Sequence, residues 1–187
     1  MRRAVFLDRD GILNRLVMRN GQAVSPRSLE QFELVPGIEQ SIELLKRAGL
    51  LVVVVTNQPD VARMFLAASD LDHMHTRLRE ALPVDAIYAC PHDERDSCAC
   101  RKPKPGLLLQ AASQWQICLE ESWMVGDSWK DMEAGRAARC RTCLIRTPAT
   151  DEKAAGGTLV ASSLQEAVEA ILADVSAARS QSEASSQ

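Results

Sequence analysis

Along the chain, short apolar runs alternate with amphipathic stretches. Ala4 to Leu7 is apolar throughout, as a short buried strand is. The run "LLVVVV" from Leu50 is β-branched from Val52 on, the pattern of a strand buried on both faces. "VDAIYA" from Val84, "SWMVG" from Ser122 and "RTCLI" from Arg141 read as further strands. Between them lie helical patterns. One starts at Pro36-Gly37, carries Ile38, Ile42, Leu44 and Leu45, and stops at Gly49. A second opens on a capping box of Ser69 and Asp72 and runs toward Leu82. Others cover Pro105 to Trp115, start near Trp129, and follow a cap of Ser163 and Glu166.

Strands separated by single helices predict right-handed βαβ units. The fold class is therefore α/β, a Rossmann-like doubly wound parallel sheet with helices on both faces. Residues 1–175 form one domain, and the Ser/Ala/Gln-rich stretch 176–187 is expected to be a disordered tail. In open parallel sheets the ligand sits outside the carboxyl ends of the strands. Asp8 and Asp10 follow the first strand, Thr56-Asn57 the second, the stretch "CPHDERDSCACRKPKPG" the third and Gly126-Asp127 the fourth. All four features thus face one crevice.

Composition narrows the class of molecule. The 187 residues are 46% hydrophobic and 25% charged, with a net charge of −3. That balance fits a globular domain and no general nucleic-acid or membrane-surface binder. The apolar run in "MRRAVFLDRDG" is too short for a signal peptide, and none approaches a membrane span. A cytoplasmic, reducing location is expected, so the six cysteines are read as metal ligands or free thiols rather than disulfides.

Two clusters carry the chemistry. Asp8-x-Asp10-Gly11 is either a capped turn or a site; with Asp127 on a neighbouring strand end it offers three carboxylates. Oxygen ligands so arranged suit Mg²⁺, and without a cation or a proton such groups repel. Cys90, His92, Cys98 and Cys100 offer four N/S ligands in the spacing C-x-H-x₅-C-x-C, which admits a structural zinc ion or a set of free thiols. A metal there would fix a polar loop and hold Arg101 and Lys102 at the crevice.

These residues resemble the four motifs of the haloacid-dehalogenase-type (HAD) phosphatases: Asp8-x-Asp10, Thr56 after "LVVVV", Lys102, and "GDSWKD" with Asp127 and Asp131. The resemblance implies Asp8 as nucleophile forming an aspartyl-phosphate, and Asp10 as general acid and base. It implies Mg²⁺ on the Asp8 carboxylate, the Asp10 backbone carbonyl and Asp127. Thr56, Asn57 and Lys102 would meet the phosphoryl group. "CACRKPKPG" is similar to the loop of the zinc-bearing subgroup, which implies structural Zn²⁺ on Cys90, His92, Cys98 and Cys100.

The gaps after Asp8 and after Thr56 are too short for a cap domain, since a folded unit needs about 50 residues or more. An open pocket, roofed by the zinc loop and the segment from Asn14 to Glu33, suits a small phosphorylated metabolite.

The subgroup holds heptose bisphosphate and histidinol-phosphate phosphatases, and "TNQPDVARM", "FELVPG" and "MVGDSWKDMEAG" resemble the heptose side. The expected substrate is D-glycero-D-manno-heptose 1,7-bisphosphate, cut at the 7-phosphate in heptose biosynthesis, with Arg63 and Arg101 meeting the second phosphate. Histidinol phosphate is the alternative, kept by the unplaced acid Asp60. Ile12, Pro59-Asp60 and Met64 depart from the usual Thr, Ser-Gly and Gly. A non-catalytic phosphometabolite binder is disfavoured because it has no use for Asp10. No nucleic-acid or membrane partner is expected, and the chain is expected to be a monomer. Cys118, Cys140 and Cys143 are read as buried free thiols, His73 and His75 as surface residues, and Trp129 as a residue that either lines the pocket or packs.

Overall fold

The computed structural model describes residues 1–147, 150 and 157–184. Strand β1 (Ala4–Leu7) is followed by a small antiparallel hairpin of β2 (Val17–Arg19) and β3 (Gln22–Val24), then helix α1 (Ile38–Arg47). Next come β4 (Leu51–Asn57), a single helical turn α2 (Pro59–Ala62), α3 (Ala68–Ala81) and β5 (Ala86–Cys90). The chain continues through α4 (Gly106–Trp115), β6 (Trp123–Gly126), α5 (Trp129–Ala137) and β7 (Arg141–Ile145). It closes with β8 (Leu159–Ala161) and α6 (Leu164–Ala184).

Six strands form one parallel sheet in the order β5-β4-β1-β6-β7-β8. The order reverses at β1, which lies between β4 and β6. Carboxyl ends of strands splay apart at such a reversal and leave a crevice. Alternation along each strand fills two cores. Val5, Leu7, Val52 and Val54 pack on one face with Ile38, Ile42 and Leu45 of α1, Met74 and Leu78 of α3, and Val168 and Ile171 of α6. Ala4, Phe6, Val53 and Val55 pack on the other with Leu107, Leu108 and Ala111 of α4 and Ala134 of α5. This is the doubly wound sheet that the pattern predicts.

Several expectations are corrected. Helix α3 starts two residues early, with Ala67 as an uncapped N-cap, so Ser69 and Asp72 form no capping box. The first turn has Asp70 near its positive end instead. Leu44 is exposed, while Ile38, Ile42 and Leu45 are buried. His73 is exposed as expected, but His75 is only 6% exposed. Cys140 and Cys143 are buried free thiols, whereas Cys118 is half-buried. Helix α6 continues to Ala184, through most of the stretch read as a disordered tail. Ala, Arg, Gln and Glu are good helix formers, so composition that lacks core residues still extends an anchored helix. Residues 185–187 lie outside the described residues.

Candidate active site

At the end of β1 the chain turns so that Asp8 reaches the crevice. Its backbone N–H donates to Val125 O of β6 at 2.9 Å, and its Oδ1 accepts from the Arg9 N–H at 2.8 Å. Gly11, at φ +87°, lets the turn come flush against the next strand end, where a Cβ would overlap Asp127 Oδ2. Only glycine meets both conditions. On that neighbouring strand end, Ser128 caps α5 through a capping box with Asp131. Ser128 Oγ donates to Asp131 Oδ2 at 2.5 Å, and the Asp131 N–H donates to Ser128 Oγ at 3.4 Å.

Asp8, Asp127 and Asp131 each place a carboxylate oxygen within 4.8 Å of the others. Lys102 sits among them, 3% exposed, with Nζ at 2.8 Å from Asp8 Oδ1, 2.6 Å from Asp131 Oδ1 and 2.8 Å from Val55 O. Nζ thus meets one carbonyl and two carboxylates, and burial, which alone would lower its pKa, is outweighed by the two carboxylates, which push it up. One cation does not balance three acids. Burial, the Asp131 and Asp127 charges and only partial relief from Lys102 raise Asp8 to about 8. Burial and Asp131 likewise raise Asp127 to about 7. A cluster that crowded retains protons unless a divalent cation replaces them, so its chemistry fits Mg²⁺. Asp131 is a member that the motif named without a role.

Asp10 has a different environment. Its Oδ1 accepts from Arg9 Nη2 at 2.9 Å and Nε at 3.1 Å, and its Oδ2 from Gln58 Nε2 at 2.7 Å. Burial favours a proton on Asp10, but the Arg9 charge and the Asn14 and Gln58 side chains hold its pKa below the usual value. Arg9 is fully buried, 5.5 Å over the Phe32 ring, with Nη1 at 3.2 Å from His75 Nε2. A guanidinium only donates, so Nε2 must be the acceptor and the histidine neutral. Burial and the Arg9 charge lower His75 to about 4.

Gln58 also donates to Thr56 Oγ1 at 2.9 Å, leaving the Thr56 hydroxyl proton free for an incoming oxygen. Asn57 is corrected. Its Nδ2 donates to Lys102 O and its Oδ1 accepts from Lys102 N–H, both at 3.0 Å. The side chain therefore fixes the lysine's backbone and is not free for a phosphoryl group.

The loop that bears Lys102 starts from the second cluster. Cys90 Sγ lies 3.1 Å from Cys100 Sγ and 3.6 Å from Cys98 Sγ and from His92 Nδ1; His92 Nδ1 is 3.3 Å from Cys100 Sγ. Zinc bonds of about 2.3 Å to sulfur and 2.0–2.1 Å to nitrogen give tetrahedron edges of roughly 3.5–3.8 Å, so the four atoms need open only slightly around an ion. Lys104 clamps the same loop by donating to Ser97 O and Cys98 O at 3.1 and 2.8 Å.

A cavity of about 430 Å³ joins these parts, lined by Asp8, Asp10, Thr56, Lys102 and Asp127 with Arg63 and Arg101 at its rim. It also exposes Arg27 and Lys130, which the sequence reading missed, and Gln58. Gln58 was legible in "TNQ"; Arg27 follows the small hairpin and had no motif to mark it. Asp60 is 8% exposed and its Oδ2 accepts from Arg27 Nε at 2.5 Å.

Residues 99–167 match the model of the HAD-hydrolase-like family. The chain is 40% identical to D-glycero-β-D-manno-heptose-1,7-bisphosphate 7-phosphatase of Helicobacter pylori over 151 residues, 78% of this chain and 83% of that protein. The enzyme of the same name from Pseudomonas aeruginosa is 38% identical, covering 78% and 82% of the two chains. Among solved structures, the D,D-heptose 1,7-bisphosphate phosphatase of B. bronchiseptica complexed with magnesium and phosphate matches with a TM-score of 0.79. That match has 32% identity over 92% of this chain and 99% of that one.

Proposed function

The chain belongs to the D-glycero-β-D-manno-heptose-1,7-bisphosphate 7-phosphatase family of HAD-like hydrolases, and from that premise we propose that it hydrolyses the 7-phosphate of D-glycero-β-D-manno-heptose 1,7-bisphosphate. The observation that carries the reading is the Asp8 carboxylate at the floor of the cavity, 2.8 Å from the Lys102 ammonium, with Asp10 two residues on.

Asp8 attacks phosphorus and the bond to the C7 oxygen breaks, while Asp10 gives that oxygen its proton. The aspartyl-phosphate on Asp8 is then opened by water, whose proton returns to Asp10. Two protonation changes precede the first step. Asp8 must lose the proton that crowding favours, and Asp10 must gain one against the pull of Arg9. Mg²⁺, held by Asp8, Asp127 and the Asp10 carbonyl, would supply the positive charge that ionises the cluster and neutralises phosphoryl oxygens. The Lys102 charge and the free proton of the Thr56 hydroxyl would meet the same oxygens. Asp131 works through Lys102, orienting it rather than touching the reaction.

Zn²⁺ on Cys90, His92, Cys98 and Cys100 is read as structural, a staple for the loop that ends in Arg101 and Lys102. Cytoplasmic action as a monomer on a small sugar phosphate completes the proposal; no helix among the described residues is long and apolar enough to cross a membrane. Histidinol phosphate would need an acid free to meet an ammonium, and Asp60 is already paired with Arg27. Phosphate release from the two substrates tests this: kcat/KM for the heptose bisphosphate is expected to be higher by at least about 100-fold. Equal values, or a preference for histidinol phosphate, would overturn it.

A further inference from the structure

We propose that Arg27 is the residue that receives the second, distal phosphate of the substrate, an inference that rests on the bisphosphate reading above. Among the described residues, five cations line the cavity: Arg27, Arg63, Arg101, Lys102 and Lys130. Their partners separate them. Lys102 is buried against Val55 O and the Asp8 and Asp131 carboxylates, beside the reacting phosphate rather than the distal one. Arg63, the guanidinium that the sequence favours for this task, forks onto Asp93 with Nε at 2.9 Å and Nη2 at 2.8 Å, and its Nη1 lies 3.7 Å from Asp60. It is a strut between the end of β4 and the zinc loop. Arg101 and Lys130 both reach the exposed carboxylate of Glu94 at 3.4 Å.

Arg27 is held differently. Its Nε donates to Asp60 Oδ2 at 2.5 Å, and its guanidinium lies 4.2 Å over the Phe65 ring. Nη1 and Nη2 have no hydrogen-bond or ion-pair partner among the described residues. One edge is tied, one face is stacked, and the remaining pair of nitrogens is a fork already fixed in place. That is the geometry in which a guanidinium takes a phosphate through two parallel hydrogen bonds, with little ordering cost left to oppose it. Asp60, in the segment where this chain departs from the usual Ser-Gly, supplies the tie. Its charge is met by Arg27 and Arg63, so it does not repel the incoming anion outright.

The test compares kcat/KM for the 1,7-bisphosphate with that for the heptose 7-phosphate, which lacks the distal group. Arg27→Ala is expected to lower the bisphosphate-to-monophosphate ratio by at least about 30-fold, mainly through KM. Arg27→Lys keeps the charge without the fork and is expected to lower it by roughly 3- to 10-fold. Arg63→Ala lowers both values together and leaves the ratio within about threefold, as loss of a strut does. Monophosphate turnover reports whether Arg27→Ala is folded; should it not be, Arg27→Lys carries the test. A ratio unmoved by substitution at Arg27, or moved as far by Arg63→Ala, overturns the inference. A wild-type ratio near one defeats the bisphosphate reading itself, and it is measured before any variant.

Discussion

Lys102 Nζ and Asp8 Oδ1 stand 2.8 Å apart, and the lysine is drawn there by Asp131 from behind, at 2.6 Å. The ammonium is 3% exposed and Asp131 is fully buried, so neither charge has water in place of its partner. Removing one partner of such a pair costs more than removing both. Lys102→Met is expected to lose about 3–5 kcal/mol of stability and nearly all phosphatase activity. Adding Asp131→Asn should restore part of the stability and none of the activity, because Asp8 still lacks its cation. Urea denaturation and phosphate release check both; a single variant as stable as the wild type would show that the pair is not buried as described.

Zinc removal tests the loop. Elemental analysis is expected to find one Zn²⁺ per chain that resists chelators which strip Mg²⁺. Cys98→Ser, at a cost on the order of 3 kcal/mol, should lower Tm by roughly 6–12 °C and raise KM at the same time. Both effects share one cause, since Cys100 is followed directly by Arg101 and Lys102. A zinc-free protein with four reactive thiols and normal KM would remove the staple from the account.

His75 makes stability depend on pH. Its folded pKa of about 4 lies below the ordinary 6.5, so the unfolded chain takes a proton that the folded chain refuses. The contribution is complete above about pH 6.5 and is lost progressively as pH falls toward 4, by a total on the order of 3 kcal/mol. His75→Gln, which keeps an acceptor for Arg9 and cannot titrate, is expected to flatten that part of the Tm–pH curve. Parallel curves for the two proteins would mean that the histidine is not held neutral against Arg9.

What the sequence made legible follows from what periodicity measures. It reports burial, so β1, β4 and β6, continuous apolar runs in the middle of the sheet, and the apolar end of β7 could be read directly. β2, β3 and β8 are three residues each and only partly buried, too short for a period to emerge. The acids Asp8, Asp10 and Asp127 stood out because they end strands that were themselves legible. Pairings between distant polar residues did not. Arg9 meets His75 across 66 positions and Arg27 meets Asp60 across 33. A buried histidine two positions from a surface one looks like any other pair on a helix until its partner is known. Asn57 failed for a related reason: its place after β4 was right, but both ends of its amide are taken by a backbone 45 residues away.

The central claim is that Asp8 carries the phosphoryl group, and phosphate release from the heptose 1,7-bisphosphate with Mg²⁺ by the wild type and by Asp8→Asn tests it most directly. The change is nearly isosteric and removes only the charge that attacks phosphorus. The wild type is expected to release one phosphate per substrate, from C7, while the variant keeps its fold and falls below about 1% of wild-type kcat. A folded Asp8→Asn protein that retains more than a few per cent of wild-type turnover would contradict it.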